Sequence, residues 1–263
     1  MGNVDCQRRR RVRRCAAVVL VAFALPAGAF AQTVSIEPGA RWSVGDGVVD
    51  LDCAAVNVAG ALDAQDGRVD GIGDLDIAGQ VTATTAALEV GGNWNNHGSF
   101  LAGSGTVRLS DRCDQAAASI RGTTTFSTLR IDSARAKAYR FEAGTTQSVA
   151  QALQLTGAAG QYLAIGSTQA GTRAGLALST GGTQQIAWVN VADMAAPEGS
   201  AWLAPGRPED FHSVDSGNNL RWFQTAEPAQ PAQVPTTSGG ALLVLLLGLG
   251  LLGRHRLRRQ LTP

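Results

Sequence analysis

Val56-Asn57-Val58-Ala59-Gly60-Ala61-Leu62 and Leu75-Asp76-Ile77-Ala78-Gly79-Gln80-Val81 carry one design twice: apolar, polar, apolar, small, glycine. Leu88-Glu89-Val90-Gly91-Gly92 echoes it. Alternation with period two predicts strands that bury one face. The glycine after each strand reads as a tight bend. The echoes lie nineteen residues apart (Val56 to Leu75) and then thirteen (Leu75 to Leu88), which is not a strict repeat. Strand-plus-glycine units at this scale nonetheless predict a solenoid rather than a sandwich.

Outward from that stretch, almost no helical periodicity appears between Gln32 and Phe223. Further strands are predicted at Thr106 to Leu109, Ser119 to Arg121, Phe126 to Ile131, Ala138 to Phe141, Leu153 to Leu155, Tyr162 to Ile165, Ala174 to Leu178 and Gln185 to Val191. Small residues dominate and aromatics are few, which suits a narrow stacked β-coil. At roughly twenty residues per coil the body supplies about ten coils, a rod of about 50 Å at ~4.8 Å per coil. The fold class is therefore all-β, with residues 32–224 as the solenoid domain.

Both ends of the chain carry export information. Arg8 to Arg11, Arg13 and Arg14 form a basic region, and Cys15 to Leu25 an apolar one. Ala29-Phe30-Ala31 supplies a small-x-small site for signal peptidase, so residues 1–31 read as a signal peptide and the mature chain begins at Gln32. Residues 225–235 hold three prolines amid Ala and Gln and form an extended, semi-rigid linker. Ala241 to Leu252 contains only Ala, Leu, Val and Gly; Arg254, Arg256, Arg258 and Arg259 follow it. An apolar run before a basic cluster places the arginines on the cytoplasmic side and the body outside. The run is short against the ~20 residues of a full transmembrane helix.

The near-neutral formal charge hides a division. The body keeps 12 basic and 20 acidic residues once six arginines and one acid of the signal, and four arginines of the tail, are set aside. A body at −8 argues against nucleic acid and anionic lipid as partners. Its two cysteines, Cys53 and Cys113, are expected to form a disulfide in an exported chain, closing a loop of about sixty residues.

No catalytic constellation emerges, and no cofactor or metal is implied. Asp63, Asp66, Asp70, Asp74 and Asp76 cluster, but the spacing of calcium loops is absent; they read as acidic turns. Asp50, Asp52, Asp74 and Asp76 are placed to line one strand face, the arrangement a carboxylate-dependent glycan enzyme would use. His97, His212 and His255 are isolated. Trp94, Trp188, Trp202 and Trp222 suit either sugar stacking or capping of a solenoid end, with capping favoured for Trp222.

Two resemblances add to this reading. Val234-Pro235-Thr236-Thr237-Ser238, the Leu/Gly-rich span and the Arg-rich tail resemble bacterial C-terminal sorting signals of the IPTL-CTERM and PEP-CTERM type. The chain departs from the IPTL pattern at Thr237, where Leu is usual. The resemblance implies that Val234, Pro235 and Thr236 are recognised by an exosortase-like membrane processing enzyme, and that residues 236–263 form a transmembrane sorting segment with a basic stop. Gly92-Asn93-Trp94-Asn95-Asn96-His97-Gly98-Ser99-Phe100 followed by Gly103-Ser104-Gly105-Thr106-Val107, Ile120-Arg121-Gly122-Thr123-Thr124-Thr125-Phe126-Ser127-Thr128-Leu129, and Val214-Asp215-Ser216-Gly217-Asn218-Asn219-Leu220-Arg221-Trp222-Phe223 are similar to stretches of bacterial cell-surface β-helix proteins. That likeness implies a right-handed parallel β-helix. The expected role is non-enzymatic, structural or adhesive, at the cell surface or in an extracellular matrix, with extracellular polysaccharide or other surface components as partners. The alternatives are a carbohydrate-active β-helix enzyme and a permanently membrane-anchored periplasmic domain.

Overall fold

The computed structural model describes residues 32–223. They form a parallel β-solenoid of about eight turns, in which every pair of named strands runs parallel. The signal peptide with Ala29 and Ala31, the linker, Val234, Pro235 and Thr236, and Arg254, Arg256, Arg258 and Arg259 lie outside the described residues. Among the described residues no helix is long and apolar enough to cross a membrane.

The opening echo is a stacking register. Val56, Asn57 and Val58 pair with Leu75, Asp76 and Ile77, which pair with Trp94, Asn95 and Asn96. The thirteen-residue step has another origin. Leu88 belongs to a different face, where it pairs with Val69 below and Val107 above, nineteen residues away each time. Over these turns the repeat is strict, a correction to the irregular spacing expected. Higher turns lengthen: Trp94 pairs with Ile120, Tyr139 with Ile165, and Leu163 with Val189, each twenty-six residues apart. Longer turns explain why about eight fit, not ten; the rod is about 40 Å rather than 50 Å.

Each turn contributes to three faces. The first runs from Thr33–Ile36 through Trp94–Asn96, Ala117–Gly122, Ala138–Phe141, Leu163–Ser167 and Val189–Ala192 to Val214–Asp215. The second begins as a four-stranded sheet, Arg41–Ser43, Ala61–Asp63, Gln80–Thr82 and Ser99–Leu101. The third contains Ala87–Val90, Thr106–Leu109 and Thr183–Ala187, joined by halves of the long strands Val48–Val58, Arg68–Ile77, Thr125–Asp132 and Thr146–Thr156. Those strands bend around corners, as the register shift between Asp50 and Ala54 records.

Inward side chains stack in columns. Val69, Leu88, Val107, Leu129 and Leu153 form one, and Leu109, Ile131, Leu155 and Ile186 another; all are buried. Where the turns begin to lengthen, Trp94, Phe100 and Phe126 fill the wider interior with ring centroids 5.1 to 5.9 Å apart. Trp222 and Phe223 are buried at the last described turn, in line with capping.

Gly60, Gly79 and Gly98 stack at one corner. Each amide or carbonyl approaches its neighbour so closely that a Cβ on Gly79 would lie 2.6 Å from the Ala59 carbonyl oxygen and nearer still to that of Gly60. Close approach of successive turns, rather than a bend alone, is the requirement these glycines meet, and none has a positive φ.

Candidate functional site

The third face carries the most organised polar surface. Its first outward column is Arg68, Ala87, Thr106, Thr128, Ala152 and Thr183, paired turn by turn. The second, two residues along each strand, is Glu89, Arg108, Arg130, Gln154 and Gln185. Above Arg68 the first column is small and the second long, which leaves a groove along the axis. It opens as a cleft of about 470 Å³ around Arg68, Glu89, Arg108 and Asp132. A second cleft of about 330 Å³ continues it past Thr183 and Gln185. Arg130 and Gln154 line both. Six turns contribute, so the groove is about 24 Å long at ~4.8 Å per turn.

Every carboxylate lining the first cleft is held by arginine. Arg68 Nε donates to both oxygens of Asp70, at 2.7 and 2.6 Å. Arg108 grips Asp132 with Nε and Nη2, at 2.8 and 2.7 Å, and donates through Nη1 to Glu89 at 2.9 Å. Glu89 is 7% exposed and also accepts from Arg112 at 3.1 Å. The hydrogen bond from Arg108 to Asp132 outweighs burial and holds its guanidinium charged beyond the ordinary arginine range. Arg130 differs: it is exposed, and no carboxylate lies within ion-pair distance among the described residues. Asp132, two residues away, is engaged by Arg108 instead.

An exposed aromatic follows on the next turn, tied to Gln184, which lies on the opposite strand face from Thr183 and Gln185. Gln184 donates to the Trp202 carbonyl at 2.8 Å and accepts from the Ala204 N–H at 2.9 Å, which sets Trp202 on the next level. Trp202 is 42% exposed, with the Arg221 guanidinium 5.2 Å from its ring centroid.

The loop between Leu109 and Ala117 reaches the groove's Glu89 through Arg112. Cys53 and Cys113 form a disulfide across sixty residues. Glycines make the reach possible: a Cβ on Gly91 would collide with the Cys113 side chain, and one on Gly73 with the Cys53 backbone. Arg112 ties the same loop to Asp50 at 2.5 Å. Hydrogen bonds from the Asp52 N–H and from Arg112 hold the Asp50 carboxyl below its usual range. Beneath the loop, Lys137 Nζ donates to the Ser110 and Gly91 carbonyls, and Tyr139 Oη donates to Ser110 at 2.8 Å. Burial pushes the Lys137 ammonium down and the Tyr139 phenol up in pKa.

The predicted site residues scatter. Asp50 lies on the third face, Asp76 on the first, and Asp52 and Asp74 at corners, so the four do not line one face. The five-aspartate cluster is also divided. Asp63 pairs with Arg41, Asp66 accepts from Thr85, Asp70 pairs with Arg68, and Asp74 accepts from the Asn93 N–H. Among the described residues no group of three His, Cys, Asp or Glu is placed to hold a metal. Trp94 is core, and Trp188 stacks on His212 at 4.7 Å. The groove residues were missed, yet Asp70, Glu89 and Arg108 stand at the nineteen-residue spacing. No family model, curated protein or solved structure matches the chain.

Proposed function

We propose that this chain is an exported, non-enzymatic β-solenoid of the cell surface or extracellular matrix, which adheres to an extended polymer, polysaccharide foremost, through the groove of its third face. The observation that carries the reading is the groove itself. It runs along the axis for about six turns and offers amide, hydroxyl and guanidinium donors. Such a surface suits a chain-like ligand bound lengthwise. The carboxylates beside it are locked in arginine pairs, an arrangement that favours holding a ligand over shuttling protons to one. Right-handed winding, which the likeness to surface β-helix proteins implies, agrees with the prevailing chirality of parallel crossover connections. Export through residues 1–31, sorting through Val234, Pro235 and Thr236, and transient residence of 236–263 in the inner membrane complete the proposal.

The test is peptide mapping by mass spectrometry on native protein from inner-membrane, outer-membrane and medium fractions, with depolymerisation assayed on the same samples. The reading expects a chain that starts at Gln32, ends between Thr225 and Ser238, has left the inner membrane and cleaves no polysaccharide. A peptide through Leu257 persisting in the inner membrane would make the tail an anchor. Turnover lost on Asp132→Asn would make the protein an enzyme.

A further inference from the structure

We infer that the groove selects anionic glycans, chains bearing carboxylate or sulfate groups, and that Arg130 is the residue that reads the charge. This deepens the adhesive proposal and rests on it. Arg68 is occupied by Asp70, and Arg108 by Asp132 and Glu89. Arg130 stands between them and the Gln154–Gln185 end, paired in register with Arg108 on one side and Gln154 on the other. It is the one cation of the groove lining left without a carboxylate among the described residues.

Charge and shape act together here. The body is net acidic, so an anionic chain is disfavoured over most of its surface. Within the groove each acid is already neutralised, and Arg130 adds an uncompensated positive charge. A guanidinium presents its donors as a planar fork that matches a carboxylate or sulfate edge. Thr128 precedes Arg130 on the same face of the strand, and Gln154 sits across from it. Both supply hydroxyl or amide groups for the sugar hydroxyls beside the anion. The neutral floor of Ala87, Thr106, Thr128 and Ala152 lets the ring approach the backbone.

The experiment is affinity electrophoresis and calorimetry of the secreted protein with polygalacturonate, dextran sulfate and neutral dextran, comparing wild type, Arg130→Gln and Arg130→Lys. The inference expects binding of one or both polyanions, weakened about tenfold or more in Arg130→Gln and partly restored in Arg130→Lys, as loss of a charge-assisted bond implies. Polygalacturonate alone marks a carboxylate reader; dextran sulfate alone marks a sulfate reader. Binding of neutral dextran with no preference for either polyanion overturns charge selection while leaving the adhesive groove standing. Binding of none of the three overturns both. Unchanged polyanion affinity in Arg130→Gln, with the fold intact by circular dichroism, overturns the role of Arg130.

Discussion

Replacing Gly79 by alanine tests the stacking directly. An added Cβ would sit 2.6 Å from the Ala59 carbonyl oxygen and closer to that of Gly60, both backbone atoms that cannot rotate away. Relief requires the two turns to separate locally. The bonds at stake are Gly79 N–H to Val58 at 2.7 Å and Gln80 N–H to Gly60 at 2.9 Å. Weakening two buried backbone bonds, at about 1 kcal/mol each, with strain added, costs about 2–4 kcal/mol. The control is Gly181→Ala, where a Cβ meets nothing within 4 Å and φ is not positive; a change within about 0.5 kcal/mol is expected. Urea unfolding followed by circular dichroism reads both. For a domain of this size each 1 kcal/mol moves Tm by about 2–4 °C, so Gly79→Ala lowers it by about 4–16 °C. If the two variants prove equally neutral, the turns do not stack through Gly60, Gly79 and Gly98, and the register is wrong.

Other outcomes follow from the same architecture. The double change Cys53→Ser with Cys113→Ser removes a sixty-residue closure, so stability in urea should fall by about 4 kcal/mol; reductant should do the same to wild type and nothing to the variant. Lys137 is the only lysine in the chain and is 1% exposed; an amine-reactive ester should modify the mature folded protein at its α-amino group and reach Lys137 only after denaturation. Tyr139 is raised in pKa chiefly by burial. Above pH ~10 the unfolded phenol ionises while the folded one keeps its proton, so the folded state binds more protons and stability falls as pH rises. Tyr139→Phe should flatten that alkaline slope in pH-dependent unfolding, and an unaltered slope would refute the assignment.

Much of the scaffold was legible in the residues because period-two alternation reports a buried strand face directly. Thr106–Leu109, Ala138–Phe141 and Ala174–Leu178 have the bounds the sequence predicts. The stretch Gln185 to Val191 reads as one strand but divides at Trp188, whose φ of 57° turns the chain around a corner. A tryptophan gives no local warning of that conformation. The groove was hidden for a related reason. Leu75 and Leu88 look like one echo but lie on different faces, and taking them as equivalent obscures the column Asp70, Glu89, Arg108. Side chains from turns 19 to 31 residues apart meet on the third face, a separation that sequence spacing alone does not reveal once turns lengthen. The disulfide was readable because the sequence outside the basic-and-apolar N-terminal stretch holds two cysteines, which allow one pairing. Its route through glycine-lined corners was not.

The most direct test of the groove as a lengthwise polymer site is the dependence of affinity on ligand length. Calorimetry with oligogalacturonates and with neutral cello-oligosaccharides of increasing length should show affinity climbing until the chain spans about 24 Å, then levelling. Affinity that is independent of length in both series, or absent from both, would contradict the account.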